Sequence, residues 1–526
     1  MNLRSIYANK KLIAFFAGAF AALAFAPINF FLALAVSFPI FFLLIEKTEA
    51  KKQIFWIGFF FGFGHFIAGV YWISISLLVD ADHFAWLIPF ALTIIPGILA
   101  IYIGLTALTF RFFCDRFHVE KISKKLVIFS LCWLFFEFLR ANLLSGFPWN
   151  LMGYTWLFSV DFAQLGSVFG VYGLSFFAVL VGLLPIIFFK QKLSKSDKIF
   201  AAAMVLFLCG NVVFSHFYID DSKIITEKNS KLRLVQPNIK QEIKWDEEQK
   251  YKDFFRQIKM SNSEDSVGVK ATIWPETAVP YVIDSHPILL NYLKSAAPRD
   301  GVLITGGLRV EEKKVWNSVF VIGQNGVEKY YDKHHLVPFG EYVPLHKFLS
   351  FLLLDSVVDG ITGGGSGFDE GDGAKTLLVD GFSFSPLICY EVIFSGEIVD
   401  HQNRPDLLIN LTNDAWFGNS SGPYQHLNMA KMRAIEYGLP LVRVANTGIS
   451  ALIDPFGRIV NKIDLNQAKA VDVDLIKNSE TTIYATYRFA PLLILIIFSC
   501  FFLTFSSPKN INSKNLQNRS GNRQES

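Results

Sequence analysis

Eight apolar stretches constrain the fold of this chain more than any motif does, because each approaches the length needed to cross a bilayer. Crossing the hydrocarbon core as a helix takes roughly 20 mainly apolar residues. The chain is 52% hydrophobic and only 18% charged, whereas an average soluble domain carries about 25% charged residues. We therefore predict a polytopic α-helical membrane bundle of eight spans. The stretches are residues 12–27, 30–45, 54–77, 85–110, 126–138, 165–189, 199–214 and 490–505.

Basic residues are concentrated in alternate loops between these stretches. They precede the first stretch and follow the second, fourth, sixth and eighth, for example at Lys51, Lys121 and Lys195. This alternation is the positive-inside pattern, and for eight spans it places both termini in the cytoplasm. The long polar segment before the last stretch is then extracytoplasmic. Because the bias accounts for the net charge of +4, nucleic acid is not an expected partner.

The first stretch also fits a cleaved signal peptide. Its basic start, apolar run and Ala24-Phe25-Ala26 sequence match that template. However, Pro27 would follow the cleavage site, and removal of the stretch would put the loop charges out of phase with the predicted orientation. We therefore predict a retained first span.

The long polar segment has the composition of an ordinary globular domain. Short runs rich in β-branched residues, such as 302–305 and 407–411, alternate with helical patterns such as 247–260. Alternating strands and helices indicate an α/β layered domain. The predicted organisation is seven membrane helices at 1–217, an extracytoplasmic domain at 218–486, an eighth membrane helix at 487–507 and a disordered cytoplasmic tail at 508–526.

Three residues near predicted strand ends form a chemically sufficient set. Cys389 is the only cysteine between residues 215 and 491, Glu276 follows an earlier strand pattern, and Lys333 lies in a loop between them. In layered α/β folds, chemistry is concentrated where strands end. A carboxylate can take the proton of a thiol, and an ammonium can stabilise the thiolate and the oxyanion formed on an attacked acyl carbon. The backbone N–H of Tyr390 is a second candidate oxyanion donor.

Each of these residues also has a purely structural interpretation. A lone cysteine in a strand is more often buried core than a nucleophile. The turn Trp274-Pro275-Glu276, which carries the glutamate, commonly has no role beyond reversing the chain, and a single lysine is commonly a solvated surface residue. His334 and His335 offer a Cys–His alternative, but no third group orients them. Taken singly, the structural interpretations prevail.

The order of the motifs reverses that balance. Trp274-Pro275-Glu276, then Lys333 with the downstream Glu341, then Cys389-Tyr390-Glu391 resembles the nitrilase superfamily, whose catalytic set is Glu, Lys and Cys in this chain order. Together with eight spans, the pattern resembles the bacterial apolipoprotein N-acyltransferases, a membrane-bound family of that superfamily. Further matches are Leu336-Val337-Pro338-Phe339-Gly340, Leu234-Val235-Gln236-Pro237-Asn238, Asn413-Asp414-Ala415-Trp416-Phe417 and Arg443-Val444-Ala445-Asn446-Thr447-Gly448.

The resemblance implies a nitrilase-like αββα sandwich and a ping-pong reaction. Glu276 is then the general base, Lys333 the oxyanion-stabilising cation and Cys389 the nucleophile that becomes an acyl thioester. The implied donor is the sn-1 chain of a phospholipid, and the acceptor is the α-amino group of S-diacylglyceryl cysteine on an apolipoprotein. We expect no metal or cofactor, and a monomer in the bacterial inner (plasma) membrane. Residues that match supporting positions are Trp245, Glu341, Tyr390 and Glu391, of which Glu341 is expected to orient Lys333.

Two further segments are candidates for contact with lipid. Residues 345–373 begin apolar and contain several glycines, which suits a lid, although a disordered glycine-rich loop fits the same composition. Arg140 and the Phe147-Pro148-Trp149 loop are expected to meet phosphate or the underside of the domain. Snorkelling at the membrane interface is the alternative for Arg140.

Two other functions stay open at this point. A membrane-bound nitrilase-like amidase would hydrolyse a small amide or nitrile, although it would need neither eight spans nor an apolar lid. A non-enzymatic membrane scaffold would require the Glu, Lys, Cys order to be accidental.

Overall fold

The computed structural model describes residues 3–189, 193–262, 267–283, 287–342, 367–478 and 480–505. Along the chain, apolar helices precede and follow a polar segment that forms an α/β domain. Most of the predicted lid (345–366) and the predicted tail (508–526) lie outside the described residues.

The helices before the polar segment form a bundle with a phenylalanine-rich core. The rings of Phe41 and Phe61 stack with centroids 4.1 Å apart. A Cβ added at Gly18 would lie 1.8 Å from the carbonyl oxygen of Phe61, so the closest helix–helix approach requires glycine, as is common in membrane bundles. In chain order the helices are α1 (Leu3–Ala21), α2 (Leu34–Glu46), α3 (Lys51–Val70), α4 (Ile73–Ser76), α5 (Ala81–Phe84), α6 (Ile88–Arg116), α7 (Ile122–Asn142), α8 (Val160–Ala163), α9 (Gly166–Leu183), α10 (Pro185–Phe189) and α11 (Lys195–Tyr218).

Each of the eight predicted stretches overlaps a helix, but the number of spans is not confirmed. Within the described ranges, four helical segments are long and apolar enough to cross a membrane: Lys51–Val70, Ala81–Arg116, Gly166–Phe189 and Lys195–Tyr218. The segments Phe31–Glu46 and Ala490–Thr504 are shorter apolar helices. Helices α1 and α7 begin before the predicted stretches, in basic sequence, so their composition alone does not mark them as spans. Helix α1 stops at Ala21, and a 3₁₀ turn continues it to Ala24, whereas the first predicted stretch ends at residue 27.

The strands of the domain form two six-stranded sheets, ordered β12-β1-β2-β3-β4-β5 and β11-β10-β9-β8-β7-β6. Neighbours β1, β2 and β3 run parallel, as do β7, β8 and β9, so their carboxyl ends meet at one edge of each sheet. The strands are β1 (Ile224–Gln236), β2 (Val269–Ile273), β3 (Val302–Glu311), β4 (Lys314–Gly323), β5 (Gly326–Asp332), β6 (Leu377–Val379), β7 (Phe382–Ile388), β8 (Leu407–Thr412), β9 (Leu441–Ala445), β10 (Ser450–Ile453), β11 (Ile459–Ile463) and β12 (Lys469–Asn478).

The two sheets pack face to face, with helices on their outer faces. Leu234 and Ile304 of the first sheet share a core with Ile409 and Val444 of the second. Helices α12 and α13 cover the other side of the first sheet, and α14 covers the other side of the second. The predicted two-sheet α/β domain is therefore confirmed. The helices are α12 (Glu247–Ser261), α13 (Pro287–Ala296), α14 (Gly422–Tyr437), α15 (Ile483–Tyr487) and, returning to the bundle, α16 (Ala490–Phe505).

Helix α14 is also the layer that joins the domain to the bundle. Gln425, in its first half, accepts hydrogen bonds from the indole nitrogens of Trp72 at 3.1 Å and Trp149 at 2.7 Å. Near its other end, Glu436 accepts one from the backbone N–H of Val171 in α9, at 2.8 Å. The domain therefore rests on the bundle through buried polar contacts at both ends of one helix.

Candidate active site

Cys389 follows β7 directly and begins a short 3₁₀ turn, Cys389–Ile393. Its φ of 48° lies in the left-handed region, which non-glycine residues adopt at a cost of about 1–3 kcal/mol and which is concentrated at functional sites. The residue is 8% exposed. The sharp turn lets the chain leave the sheet with the thiol at the carboxyl edge of the strands.

Glu276 lies in the turn after β2 and is 7% exposed. Its Oε1 accepts a hydrogen bond from Nδ2 of Asn317 at 2.8 Å. The neighbouring strand β3 passes so close that a Cβ at Gly306 would lie 2.5 Å from the backbone nitrogen of Thr277. Glycine at that position therefore makes room for the turn that carries the carboxylate.

Lys333 follows β5 and is buried between two carboxylates. Its Nζ lies 2.8 Å from Oε1 of Glu341 and 3.5 Å from Oε1 of Glu276. Burial alone would lower the pKa of Lys333, but Glu341 and Glu276 raise it well above its ordinary value. The lysine is therefore an ammonium at neutral pH, fixed beside the predicted base.

The Cys389 thiol responds to both of these groups. Burial, followed by the Glu276 carboxylate, raises the pKa of the thiol, while Lys333 opposes the rise. The resting group is consequently a thiol and needs a base to become a nucleophile. Glu276, Lys333 and Cys389 are thus brought together, which their order along the chain alone does not require.

Glu341 holds the lysine in place. Besides its contact with Lys333, Oε1 accepts a hydrogen bond from Nδ2 of Asn317 at 3.0 Å, and Oε2 accepts one from the backbone N–H of Val337 at 2.8 Å. A carboxylate tied at both oxygens keeps a fixed orientation. This geometry fits the orienting role expected for Glu341.

Glu391 joins the turn that carries Cys389 to the loop that carries Lys333. Its carboxylate accepts hydrogen bonds from the backbone N–H of Ile388 at 2.6 Å and of His334 at 2.8 Å, and from the Tyr331 hydroxyl at 2.7 Å. Burial would raise the pKa of Glu391, but the His334 side chain, the backbone N–H of Ile388 and the charge of Lys333 hold it below its ordinary value. Glu391 therefore fixes the relative positions of the loops that carry Cys389 and Lys333.

We expect Glu391→Gln to lower the free energy of unfolding by about 3 kcal/mol, because a buried charge is removed from partners that stay buried. Thermal unfolding in detergent micelles measures the loss. Glu397→Gln is the matched control, since Glu397 pairs with the neighbouring His335 from a half-exposed position and should cost about 0.5 kcal/mol or less. Equal losses in the two variants would contradict the role assigned to Glu391.

The two aromatic supporting residues face different surroundings. The Tyr390 hydroxyl donates to the carbonyl oxygen of Gly146, in the bundle loop after α7, at 3.1 Å. Trp245 is 49% exposed, and the nearby Lys244 ammonium lies 5.7 Å from its ring centroid. Tyr390 is therefore part of the contact with the bundle, whereas Trp245 presents an open face to solvent.

The loop after α7 is organised by Arg140. Its Nη1 donates to the carbonyl oxygens of Phe147 at 2.6 Å and Trp149 at 2.8 Å, and the residue is 3% exposed. Snorkelling was therefore the wrong alternative for Arg140. The expectation that this loop meets the underside of the domain holds, because Tyr390 and the His335 imidazole, 3.1 Å from the Ser145 carbonyl oxygen, both contact it.

Two residues of the site escaped the sequence reasoning. Asn317 bridges Glu276 and Glu341 from the middle of β4, where no turn or strand end marks it. Lys244 is 5% exposed, and its Nζ donates to the Thr277 hydroxyl at 2.6 Å. In the sequence, Lys244 could have been suspected only from its position next to Trp245, one of the predicted supporting residues. Burial lowers the pKa of Lys244 to about 8, while Glu276 opposes the change.

We expect Lys244→Met to be more stable than the wild type at pH 7 but not at pH 10. The pKa of Lys244 falls from 10.5 to about 8 on folding. Below pH 8 the lysine is charged in both states, and the charge destabilises the folded state relative to the unfolded state. The wild type should then gain about 3 kcal/mol of stability as the pH rises through this window. Thermal unfolding from pH 7 to 10 measures it, with Lys252→Met, exposed on α12, as the control. A pH-independent difference between the Lys244 variant and the wild type would contradict this prediction.

Two family models match the chain. One, described as the apolipoprotein N-acyltransferase N-terminal domain, matches residues 17–184, and the other, described as carbon-nitrogen hydrolase, matches residues 216–483. The apolipoprotein N-acyltransferase of Rickettsia typhi is 36% identical over 497 residues, which cover 93% of this chain and 96% of that protein. That of Rhodopseudomonas palustris is 37% identical over 513 residues, which cover 93% of each. A solved CN-hydrolase superfamily protein from Xanthomonas campestris is 18% identical, with a TM-score of 0.34, and the match covers 47% of this chain and 90% of that chain.

The polar segment is thus a carbon-nitrogen hydrolase domain with two sheets, joined to a bundle of apolar helices. The curated relatives match both parts over nearly their whole length, and the chain belongs to the apolipoprotein N-acyltransferase family. It is an N-acyltransferase of lipoprotein biosynthesis and a multi-pass protein of the inner membrane. The family predicted from the order of the motifs is confirmed.

Proposed function

We propose that the chain transfers the sn-1 acyl chain of a phospholipid to the N-terminal α-amino group of S-diacylglyceryl cysteine on an apolipoprotein, through a thioester at Cys389. One observation carries the proposal. The Lys333 ammonium lies 3.5 Å from the Glu276 carboxylate, and the charges of both act on the Cys389 thiol. A base, a fixed cation and a thiol are sufficient for acyl transfer without a metal or cofactor.

In the first half-reaction, Glu276 takes the proton of Cys389 and the thiolate attacks the ester carbonyl. The S–C bond forms as the C–O bond breaks, and Glu276 returns the proton to the departing lysophospholipid oxygen. Lys333 stays charged because its pKa is raised, and it stabilises the oxyanion together with the backbone N–H of Tyr390. Glu341 orients the lysine during this step.

In the second half-reaction, the amine of the acceptor attacks the thioester. The N–C bond forms as the S–C bond breaks, and the same oxyanion donors act again. Glu276 takes the proton that the nitrogen loses and delivers it to the sulfur. The resting thiol is thereby restored.

Contact between the site and the bundle supports lipid substrates. Moving acyl chains from bilayer to water costs about 0.8 kcal/mol per methylene, so substrates with two or three chains must stay anchored during the reaction. Tyr390 and His335 touch the bundle loop at Gly146 and Ser145. A nucleophile turn seated on that loop is suited to a reaction at the membrane surface, with Trp245 at the open side for substrate.

We further propose eight spans, cytoplasmic termini, an extracytoplasmic domain with the boundaries predicted from the sequence, and a monomeric protein. The alternation of loop charges supports this topology. An impermeant thiol reagent applied to spheroplasts should label Lys252→Cys and spare Lys121→Cys. Labelling of Lys121→Cys with protection of Lys252→Cys would invert the topology.

Intact-mass analysis tests the reaction directly. Protein incubated with phospholipid vesicles should gain one acyl mass on the peptide that contains Cys389, and hydroxylamine or a diacylated lipopeptide with a free amine should remove it. The exposed Cys209 supplies an internal control and should stay unmodified. An adduct consumed by water as fast as by the lipopeptide amine would favour the amidase alternative, and absence of the adduct would contradict the transferase mechanism.

A further inference from the structure

Lys244 is a buried cation at the candidate active site that takes no part in the steps above. It follows the short 3₁₀ turn Gln241–Ile243, after β1, and is 5% exposed. Its Nζ donates to the Thr277 hydroxyl at 2.6 Å, and within the described part of the chain it forms no ion pair. Buried charges are normally paired, because taking them out of water is costly. An ammonium buried against a neutral hydroxyl, beside a reactive site, therefore indicates a functional role.

The acceptor of this hydrogen bond belongs to the turn that carries the general base. Thr277 directly follows Glu276, and its φ of 44° lies in the left-handed region. A β-branched residue adopts that region only under strain, whereas glycine would adopt it freely. Such a conformation persists only where the surroundings fix it. The Thr277 hydroxyl is the group by which the Lys244 ammonium holds the strained part of this turn.

Strand β3 holds the backbone of the same turn. The backbone N–H of Gly306 donates to the Pro275 carbonyl oxygen at 3.2 Å, and the Gly306 carbonyl oxygen accepts from the backbone N–H of Val279 at 3.2 Å. A Cβ at Gly306 would lie 2.7 Å from the Cα of Glu276, so the turn has no room to move toward the strand. The backbone of the turn is therefore fixed by β3, while its hydroxyl is fixed by Lys244.

Buried amide side chains from the second sheet hold the loop that carries Lys244. Oε1 of Gln241 accepts from Nδ2 of Asn413 at 2.7 Å, and Oδ1 of Asn413 accepts from Nδ2 of Asn446 at 3.0 Å. Asn446 also exchanges two hydrogen bonds with the backbone of Ile239, at 2.7 and 2.8 Å. The loop is thereby tied to the ends of β8 and β9, and the ammonium reaches the turn of the first sheet from a fixed position.

The charges of Lys244 and Glu276 also act on each other. Burial lowers the pKa of Lys244 to about 8, and the Glu276 carboxylate opposes the change. At pH 7 the side chain is therefore a charged donor, and its charge attracts the carboxylate whose turn it holds. Because burial of this charge costs stability, its presence beside the base is typical of a residue that serves activity rather than stability.

We propose that Lys244 is a positioning residue for the general base Glu276 and acts through the Thr277 hydroxyl. This role rests on the acyl transfer proposed above, in which Glu276 takes a proton from the Cys389 thiol and later from the acceptor amine. A misplacement of about 1 Å in a catalytic group can cost about 10²-fold in rate. The contact therefore accelerates both half-reactions, and because it acts on the base it leaves lipid binding unchanged.

Lys244→Met is the first test, and Lys240→Met, which replaces an exposed lysine of the same loop, is the matched control. Single-turnover acylation and deacylation by the Lys244 variant should each slow about 10- to 100-fold at pH 7, with the KM for phospholipid unchanged. Its stability at this pH should not fall, because the variant removes a charge that burial disfavours. The control should keep the wild-type rates. A folded Lys244→Met protein with both rates of the wild type would overturn the proposal.

A double-mutant cycle with the base separates positioning from a general structural role. In a Glu276→Gln background, Lys244→Met should change the residual acylation rate by less than about threefold, because no base is left to position. A structural role would slow acylation equally in both backgrounds. Equal losses would therefore overturn the assignment.

A second cycle tests the route through Thr277. Thr277→Val keeps the shape of the side chain but removes the acceptor, and it should slow acylation as much as Lys244→Met does. Thr277→Ser keeps the hydroxyl and should retain the wild-type rate. The protein with both Lys244→Met and Thr277→Val should be no slower than either single variant, because both remove the same contact. Losses that add would contradict a route through the threonine.

Hydrogen exchange supplies a readout that does not depend on acyl transfer. Amide exchange in a peptide that spans residues 276–280, read by mass spectrometry, should be faster in Lys244→Met and in Thr277→Val than in the wild type, and unchanged in Lys240→Met. Exchange at the wild-type rate in both variants would overturn the positioning role. An absent acyl adduct in the wild type would refute the proposed function, whereas normal wild-type acylation with an unaffected Lys244→Met protein would refute only the role of Lys244.

Discussion

Replacing Cys389 by alanine is expected to abolish acyl transfer, with a loss of about 10⁴-fold or more. In the proposed mechanism the other groups of the site act through the sulfur: Glu276 takes its proton, and Lys333 stabilises charge that exists only after the sulfur attacks. Removing the nucleophile therefore removes their contributions as well. Transfer from phospholipid vesicles to a labelled diacylated lipopeptide measures the loss.

Cys209→Ala is the matched control, because Cys209 is exposed on α11. This variant should retain full activity. The alanine variant at position 389 should also lack the acyl adduct, so that activity and adduct disappear together. Activity retained by a folded Cys389→Ala protein would refute the thioester route, whatever adduct the wild type carries.

Glu276→Gln is expected to slow acylation about 10²- to 10⁴-fold at pH 7, the range for loss of a general base. The same substitution should also make the Cys389 thiol easier to ionise, which partly offsets the loss of the base. Burial and the Glu276 carboxylate raise the pKa of Cys389, so removal of that charge should lower the pKa of the thiol. The variant should then regain activity as the pH rises, because hydroxide ionises the thiol without a base.

Two measurements separate these effects: single-turnover acylation against pH, and alkylation of Cys389 by iodoacetamide against pH. The fold should survive, because Lys333 keeps its 2.8 Å contact with Glu341. Glu248→Gln, exposed on α12, is the control. A Glu276→Gln variant whose alkylation profile moves to higher pH would contradict the electrostatic relation between the two residues.

The sequence predicted the parts of the site that obey local rules. Glu276 and Cys389 both follow parallel strands, and Lys333 follows a strand of the same direction, so the strand-end rule brought their positions together. Asn317 could not be found this way, because it lies in the middle of β4 and its role depends on two carboxylates from distant loops. Lys244 was missed because burial, which gives it an unusual pKa, leaves no trace in a single sequence.

The membrane bundle shows a different limit. Loop charges and apolar length identified the helical stretches, yet α1 and α7 extend into charged sequence and cannot be recognised as spans from composition alone. Arg140 illustrates why. An arginine near a helix end suggests an interfacial position, but its guanidinium donates hydrogen bonds to two carbonyl oxygens of the following loop. These contacts can be seen only in the folded chain.

Helix α14 has a consequence for how this enzyme can be divided. Nearly every residue from Gly422 to Tyr437 is buried, with one side against the second sheet and the other against the bundle. If the polar domain were expressed by itself, the side of α14 that faces the bundle would be exposed to water. Gln425 and Glu436 would also lose their hydrogen bonds to the bundle. The membrane part is thus the final layer of the enzyme's own core, and a soluble, autonomous version of the catalytic half would need that helix redesigned before it could fold.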